Sequence, residues 1–183
     1  MIRLCDLVIS FFGLIFLSPL LAIIFFFGLF DTGSPLFFQE RIGRNERLFI
    51  LVKFRTMRKD TASLASHLAD SSAITPLGQF LRKTKLDELP QLWNVLKGEM
   101  SLVGPRPGLL NQIDLIEARR RHGVFSAPPG ITGLAQINKI DMSTPELLAE
   151  IDANLIQELS VYSYFKYIFM TIFGKGQGDA ANR

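Results

Sequence analysis

The chain is poor in the residues that most familiar sites require. It holds a single cysteine, Cys5, which excludes an internal disulfide and fits a reducing compartment. Cys5 lies in an apolar run, where an inert buried thiol is expected. Two histidines, His67 and His122, with one cysteine cannot build a zinc cluster. No G-x-x-x-x-G-K-[ST] and no G-x-G-x-x-G follows a strand, so a Walker or Rossmann nucleotide site has no support. A G-x-S-x-G elbow is also missing, although spacing alone leaves a Ser-His-Asp triad open. Excess charge is lacking too. A formal net charge of +3 is too small to argue for nucleic acid and suits anionic partners such as phosphates or a lipid surface.

The longest absence is of charge along the N-terminal run. From Leu7 to Phe30 there are 24 residues without one, rich in Ile, Leu and Phe. That exceeds the roughly 20 needed to cross a bilayer as a helix. A cleaved signal peptide fits poorly, because the run is too long and no A-x-A site follows it. Ser18-Pro19 sits at its middle. Proline there removes a backbone hydrogen bond and kinks a helix, and in lipid the freed carbonyl needs a donor such as a nearby serine hydroxyl. A moderate kink leaves a spanning helix, the commoner geometry; a sharp one returns both ends to the same face. Arg3 lies before the run, with Arg41, Arg44 and Arg47 soon after it, which mildly favours both ends being cytoplasmic.

At 183 residues and 48% hydrophobic, the chain has enough for one domain with a core. Asp31-Thr32-Gly33-Ser34-Pro35 reads as the break between a membrane segment over 1–30 and a single catalytic unit over 31–183. Leu36 to Ile42 and Leu48 to Phe54 are β-prone and flank Gly43-Arg44-Asn45-Glu46, a hairpin signal. Residues 59–74 are polar and read as an exposed short helix or a loop. Thr75-Pro76 opens a helix carrying Leu77, Phe80 and Leu81. Two proline-glycine stretches, Ser101 to Gly108 and Ala127 to Gly133, read as stiff loops, since each proline fixes its own φ and restrains its predecessor. Leu109 to His122 reads as a helix ending in Arg119-Arg120-Arg121-His122. Those cations complement the helix C-terminus or meet anionic lipid. Ser143-Thr144-Pro145-Glu146 has a capping-box pattern, and its helix buries Leu147, Leu148, Ile151, Leu155 and Leu159. The aromatic run Val161 to Phe173 is too short to span; it is either an interfacial helix or a buried one. The fold class is therefore mainly α with a small β-hairpin.

The chemistry centres on Asp87 and Glu88. Leu89, Leu92, Trp93 and Leu96 recur at helical spacing, and Pro90 is tolerated only in a first turn. A helix starting near Asp87 and ending at Lys97-Gly98 is expected, with both acids at its positive end. Acids at a helix start are ordinarily caps. Arg82, Lys53 and Arg106 supply cations nearby: arginine grips phosphate oxygens bidentately, and lysine acts as a point charge. Paired carboxylates near phosphate imply a divalent cation, because Mg²⁺ binds one or two acids plus substrate oxygens. Together these residues fit phosphoryl transfer.

Five ordered motifs then carry a resemblance: the Ser18-Pro19 break, Lys53-Phe54-Arg55-Thr56-Met57, Leu86-Asp87-Glu88-Leu89-Pro90-Gln91, Val103-Gly104-Pro105-Arg106-Pro107, and Pro129 to Gln136. Over almost its whole length the chain resembles the bacterial sugar transferases known as monotopic phosphoglycosyl transferases, in their small, catalytic-domain-only form. The resemblance implies transfer of a sugar phosphate from a UDP-sugar to polyprenyl (undecaprenyl) phosphate, with release of UMP. This is the first membrane step of O-antigen, capsule, exopolysaccharide or protein glycan synthesis. It implies Asp87 as the nucleophile of a covalent phospho-sugar intermediate and Glu88 as its partner with Mg²⁺. Lys53, Arg82 and Arg106 match phosphate-contacting positions. It also implies a re-entrant helix that turns back at Ser18-Pro19, interfacial amphipathic helices, and a site on the cytoplasmic face of the bacterial inner membrane. A homodimer is left open. The chain departs from the common family pattern at Pro128, Lys139, Ile140 and Leu155, which leaves sugar and nucleotide preference open. A non-catalytic scaffold of a glycan assembly complex and an aspartyl-phosphate phosphatase remain as alternatives.

Overall fold

A computed structural model describes residues 1–59 and 71–173. The expected polar helix or loop over 59–74 lies largely outside them. Helix α1 (Ile2–Thr32) is one element of 31 residues with Pro19 inside it. At 1.5 Å per residue it is about 46 Å long. The expected break at Ser18-Pro19 is absent as an interruption. Pro19 cannot donate to the carbonyl of Ile15, and Ser18 Oγ donates to that carbonyl at 2.7 Å in its place.

Both ends of α1 are tied to the same body. At the start, Arg3 donates to the carbonyls of Val95 and Leu96 at 2.6 and 3.0 Å. Asp6, buried, accepts from Ser101 Oγ, the Leu102 amide and Tyr164 Oη at 3.1, 2.9 and 2.8 Å. At the far end, Thr75 Oγ1 donates to Asp31 Oδ2 at 2.7 Å. Between these anchors Ile9, Leu14 and Leu17 pack on the main core, and Leu21 and Ile24 pack on a second cluster with Phe54 and Leu81. Phe11, Phe12, Phe16, Phe26, Phe27 and Phe30 stay exposed.

The hairpin forms as expected, with β1 (Leu36–Ile42) antiparallel to β2 (Leu48–Phe54) and Leu36 opposite Phe54. Along β2, Phe49, Leu51 and Lys53 are buried at alternate positions, so Lys53 occupies an inward place in a strand whose other inward residues are apolar. Helix α2 (Pro76–Thr84) is capped by Thr75, whose side chain accepts from the Gly78 amide. Gly78 is required there because a Cβ would stand 2.1 Å from the Thr56 carbonyl oxygen.

Helix α3 spans Gln91–Lys97 and ends at Gly98, φ 85. It starts later than expected. Leu86–Glu88 form a separate 3₁₀ turn, and Pro90 stands at the N-cap position with no side-chain cap bond. Its inward face is also shifted. Asn94 and Val95 are fully buried, while Trp93 is 55% exposed. The reason is a polar contact that hydrophobic spacing does not register. Asn94 Nδ2 donates to the Ile50 carbonyl at 2.7 Å, and its Oδ1 accepts from the Val52 amide at 3.1 Å, so one side chain pairs with the backbone of β2.

The two stiff stretches form one structure. Strand β3 (Ser101–Val103) runs parallel to β4 (Gly130–Thr132). The Gly104 amide donates to Thr132 at 2.9 Å, and the Gly130 amide donates to Pro105 at 2.8 Å. A Cβ on Gly130 would meet the Gly104 nitrogen at 2.1 Å, so only glycine permits this approach.

Helix α4 (Ile113–Arg121) carries Arg119, Arg120 and Arg121 in its last turn, as the helix-end reading expects, and adds acid partners to them. Arg119 is buried against Asp152 of α6 (Pro145–Glu158); Arg120 pairs with Glu46, and Arg121 and His122 pair with Glu146. All four side chains meet acids. Glu146 is thereby taken from the expected capping box, and Thr144 caps α6 with no side-chain bond. Leu147 is exposed, whereas Leu148 and Leu155 are buried as expected. After α5 (Leu134–Ile137) and α6 comes α7 (Val161–Ile172), opened by a Ser160/Ser163 capping box. The aromatic run divides between its two readings. Tyr164 and Tyr167 are core, while Tyr162, Phe169 and Ile172 are exposed.

Candidate active site

Asp87 and Glu88 lie in a short turn between two elements that carry cations. The turn packs against α2 and β2, which bear Arg82 and Lys53. Asp87 is 1% exposed and Glu88 7%. Neither caps α3, because the chain needs the 3₁₀ turn and Pro90 before the helix begins. Lys85 precedes the pair at φ 59, a left-handed position that a lysine side chain rarely adopts. It ends α2, its amide reaching the carbonyls of Leu81 and Arg82. Burial pushes the Lys85 ammonium below its ordinary value, and the Glu88 carboxylate opposes that shift.

The cations are placed by different means. Arg82 Nε donates to Thr56 Oγ1 at 2.9 Å, which fixes it on the Lys53-to-Met57 motif. Lys53 lies 5.7 Å from the Phe37 ring centroid, within cation–π range. Arg106 Nη1 lies 3.2 Å from Glu88 Oε1 and keeps 24% of its side-chain surface in solvent. Its loop is clamped on both sides. The interlocked glycines hold Gly104, and Arg41 Nη1 donates to the Pro107 carbonyl at 3.0 Å. Arg41 is itself buried and held by Gln39 at 2.6 Å. Sequence reading took Arg41 only as flanking charge. Its place opposite buried Phe49 in the hairpin register was the available signal.

Glu88 and Arg106 thus meet directly next to Asp87, while Arg82 and Lys53 lie on the two elements, α2 and β2, that pack against the turn. Ser18 and Pro19 stand apart, within α1. A cavity of about 340 Å³ opens beside Glu88 and is lined mainly by apolar side chains of α1, α3, β4 and α7, together with Lys85, Thr132 and Thr171. Among the described residues no group of three or more His, Cys, Asp or Glu side chains is close enough to cage a metal. Two adjacent acids fit a Mg²⁺ ion that takes its other oxygens from a substrate phosphate and water.

The departing positions fall away from the pair. Leu155 is a fully buried core residue, and Pro128 lines a different cavity of about 470 Å³, with Arg3 and Asp6. Lys139 and Ile140 follow α5, with Lys139 at φ 60.

The family model of the bacterial sugar transferases matches residues 1–176. The chain is 36% identical to the UDP-glucose:undecaprenyl-phosphate glucose-1-phosphate transferase of Klebsiella pneumoniae over 93% of its own length and 39% of the relative's. It is 34% identical to the exopolysaccharide production protein ExoY of Sinorhizobium fredii, covering 91% of the chain and 81% of the relative. It is 42% identical to the uncharacterized sugar transferase EpsL of Bacillus subtilis, over 76% and 69%. Against several longer relatives the chain spans only 34 to 40% of their length. The match over nearly the whole chain, and over most of two short relatives, establishes that this protein belongs to the bacterial sugar transferase family.

Proposed function

We propose that the protein moves a sugar-1-phosphate from a UDP-sugar to polyprenyl phosphate, releasing UMP and forming a polyprenyl-diphospho-sugar. The observation that carries this reading is the buried Asp87-Glu88 turn, in which Glu88 meets Arg106 and also lines an apolar cavity to which α1 contributes Ile9. A donor with two phosphates needs fixed cations, and a lipid acceptor needs apolar walls next to them. The Klebsiella relative is named for a reaction that joins UDP-glucose and undecaprenyl phosphate.

In this mechanism a carboxylate oxygen of Asp87 attacks the phosphorus that bears the sugar. The bond from that phosphorus to the UMP oxygen breaks, and UMP leaves with the electron pair. An oxygen of polyprenyl phosphate then attacks the same phosphorus and frees the Asp87 carboxylate. Splitting the reaction this way spares the site from holding two anionic substrates at once. Arg106 stabilises charge on the transferring group, and its clamped loop means little reorganisation is needed when charge develops. Lys53 and Arg82 hold the donor diphosphate. Asp87 and Glu88 would hold Mg²⁺ together with the substrate phosphate, where the ion neutralises charge on the leaving oxygens.

We also read α1 as a re-entrant helix that places the site at the cytoplasmic face of the bacterial inner membrane. Support comes from its ends, since Arg3 and Asp6 at one and Asp31 at the other bind the same domain. The exposed phenylalanines of α1 and the exposed face of α7 then face lipid.

The test is incubation of the full chain, in lipid nanodiscs, with UDP-sugars, Mg²⁺ and undecaprenyl phosphate. UMP release that depends on the lipid is the expected result. Release without lipid would identify a hydrolase, and none with any UDP-sugar would point to a scaffold. A cysteine placed at residue 2 should resist labelling from the periplasmic side.

A further inference from the structure

Phe37 lies on the inward side of the hairpin, yet it belongs to none of the three apolar clusters formed by the described residues. In the register it stands opposite Lys53, on the face that also carries buried Phe49 and Leu51. Those two residues join the main core, and the neighbour Leu36 packs on the cluster of Ile24, Phe54 and Leu81. Two cations stand over the Phe37 ring instead. Lys53 Nζ is 5.7 Å from its centroid and Arg55 Cζ is 5.2 Å from it. Both distances lie within the roughly 6 Å over which a ring face attracts a cation. Arg55 is also tied to the chain leaving α1, since it donates to the Ser34 and Leu36 carbonyls at 2.9 and 3.3 Å. Lys53 is buried on β2, the strand that packs against the Asp87-Glu88 turn. Two like charges only two residues apart, on the same side of an extended chain, repel. The electron-rich face of Phe37 offsets that repulsion. It also attracts the ammonium without neutralising it, as a carboxylate in its place would.

We propose that Phe37 is a positioning residue whose ring, shared with Arg55, holds the Lys53 ammonium in place for the donor diphosphate. This rests on the transferase reading above, in which Lys53 binds that diphosphate. Lysine carries its charge on a flexible four-carbon stem, so an unsupported ammonium must be ordered when the anion arrives. A ring on the opposite strand restricts it beforehand. The ordering cost then falls on folding and is absent from substrate binding.

The experiment compares wild type, Phe37→Leu, Phe37→Tyr and a protein carrying trifluorophenylalanine at position 37, each as the full chain in nanodiscs. Fluorination keeps the shape of the ring and weakens its electron-rich face, so it separates attraction for a cation from packing. Phe37→Leu and the fluorinated ring should each raise the KM for the UDP-sugar about three- to tenfold, the range of one cation–π contact. The KM for undecaprenyl phosphate should stay within about twofold, and Phe37→Tyr, which keeps the ring, should stay within about twofold for both substrates. Equilibrium binding of UDP should weaken in parallel with the donor KM and gives a readout without turnover. NMR of lysines labelled with carbon-13 at Cε reports the contact itself, the Lys53 signal being assigned by its loss in Lys53→Arg. That signal should carry a ring-current shift in wild type and Phe37→Tyr, and Phe37→Leu should abolish it. A donor KM unchanged in Phe37→Leu, an equal rise for donor and acceptor, or a Lys53 signal that Phe37→Leu does not move would each overturn the proposal. So would a loss in Phe37→Leu that the fluorinated ring does not share, which would make Phe37 a packing residue. If wild type neither releases UMP nor binds UDP, the transferase reading fails and the donor role of Lys53 falls with it. That result differs from a failure of Phe37 alone, in which wild type stays active and the variants match it.

Discussion

Arg119 gives both Nε and Nη2 to one oxygen of Asp152, at 3.0 and 2.6 Å, and the two side chains keep only 4% and 2% of their surface in water. Arg106 meets Glu88 through Nη1 at 3.2 Å and keeps 24%. Both are arginine–carboxylate pairs within a few residues of a helix end, yet they do different things. The first joins α4 to α6 and shares its surroundings with the cluster of Leu115 and Leu148. Burial pushes the Asp152 carboxyl upward, and only the guanidinium beside it works against that shift. The second stands beside a cavity on a loop clamped at both sides. A dry, doubly bonded pair acts as a strut. A longer pair, wet on its arginine side, can share that arginine with a phosphate while the Lys85 ammonium stays close to the buried Glu88 carboxylate.

The contrast breaks most sharply at Asp87. Asp87→Asn should lower UMP release by about 10⁴-fold or more, since the nucleophile is lost. Its melting temperature should stay close to that of wild type by differential scanning fluorimetry. Full release in that variant would sink the assignment of the nucleophile. Asp152→Ala should show the opposite pattern. Leaving Arg119 buried and unpaired should cost about 3–5 kcal/mol of stability in chemical denaturation, with the KM of the surviving folded enzyme unchanged. Arg106→Ala should fall between them, with kcat reduced by about 10²–10³-fold and a stability loss smaller than that of Asp152→Ala. A stability loss as large as that of Asp152→Ala would erase the distinction between the pairs.

The smallest effect concerns Asp6 and Tyr164. Burial, and then the hydrogen bond to Asp6, push the Tyr164 hydroxyl above its ordinary value of 10.0. A raised value means that the folded chain keeps this proton when the unfolded chain has released it. The contribution of Tyr164 is therefore intact below about pH 10 and falls as pH rises beyond it. Tyr164→Phe should cost about 1 kcal/mol at neutral pH and soften the alkaline decline between pH 9 and 11. An identical decline in both proteins would place the titrating group elsewhere.

Much of the secondary structure was legible because it depends on neighbours in sequence. The hairpin register, the Thr75 cap and the Gly98 stop need only strand alternation, a capping side chain and a glycine. The start of α3 was misread because Pro90 is compatible with a first turn, and nothing local shows that a 3₁₀ turn intervenes. Helical spacing groups Trp93 with the apolar face and passes over Asn94, since it does not register a side chain that pairs with a strand 44 residues away in sequence. The same blindness affected Arg119 and Arg41, whose acceptors come from distant segments.

The sequence by itself determined that an uncharged run would meet lipid, that two proline-glycine stretches would be stiff, and that Asp87-Glu88 was the pair worth testing. Each of these follows from residue type and local spacing. Tertiary structure alone decided that Arg3 at the start of α1 meets Val95 and that Asp31 at its end meets Thr75, that the two stiff stretches interlock through Gly104 and Gly130, and that Arg106 faces Glu88. Those outcomes are contacts between residues far apart in the chain. Their geometry is set by which backbones can approach closely and which buried charges find partners, and neither is encoded within any single window of residues.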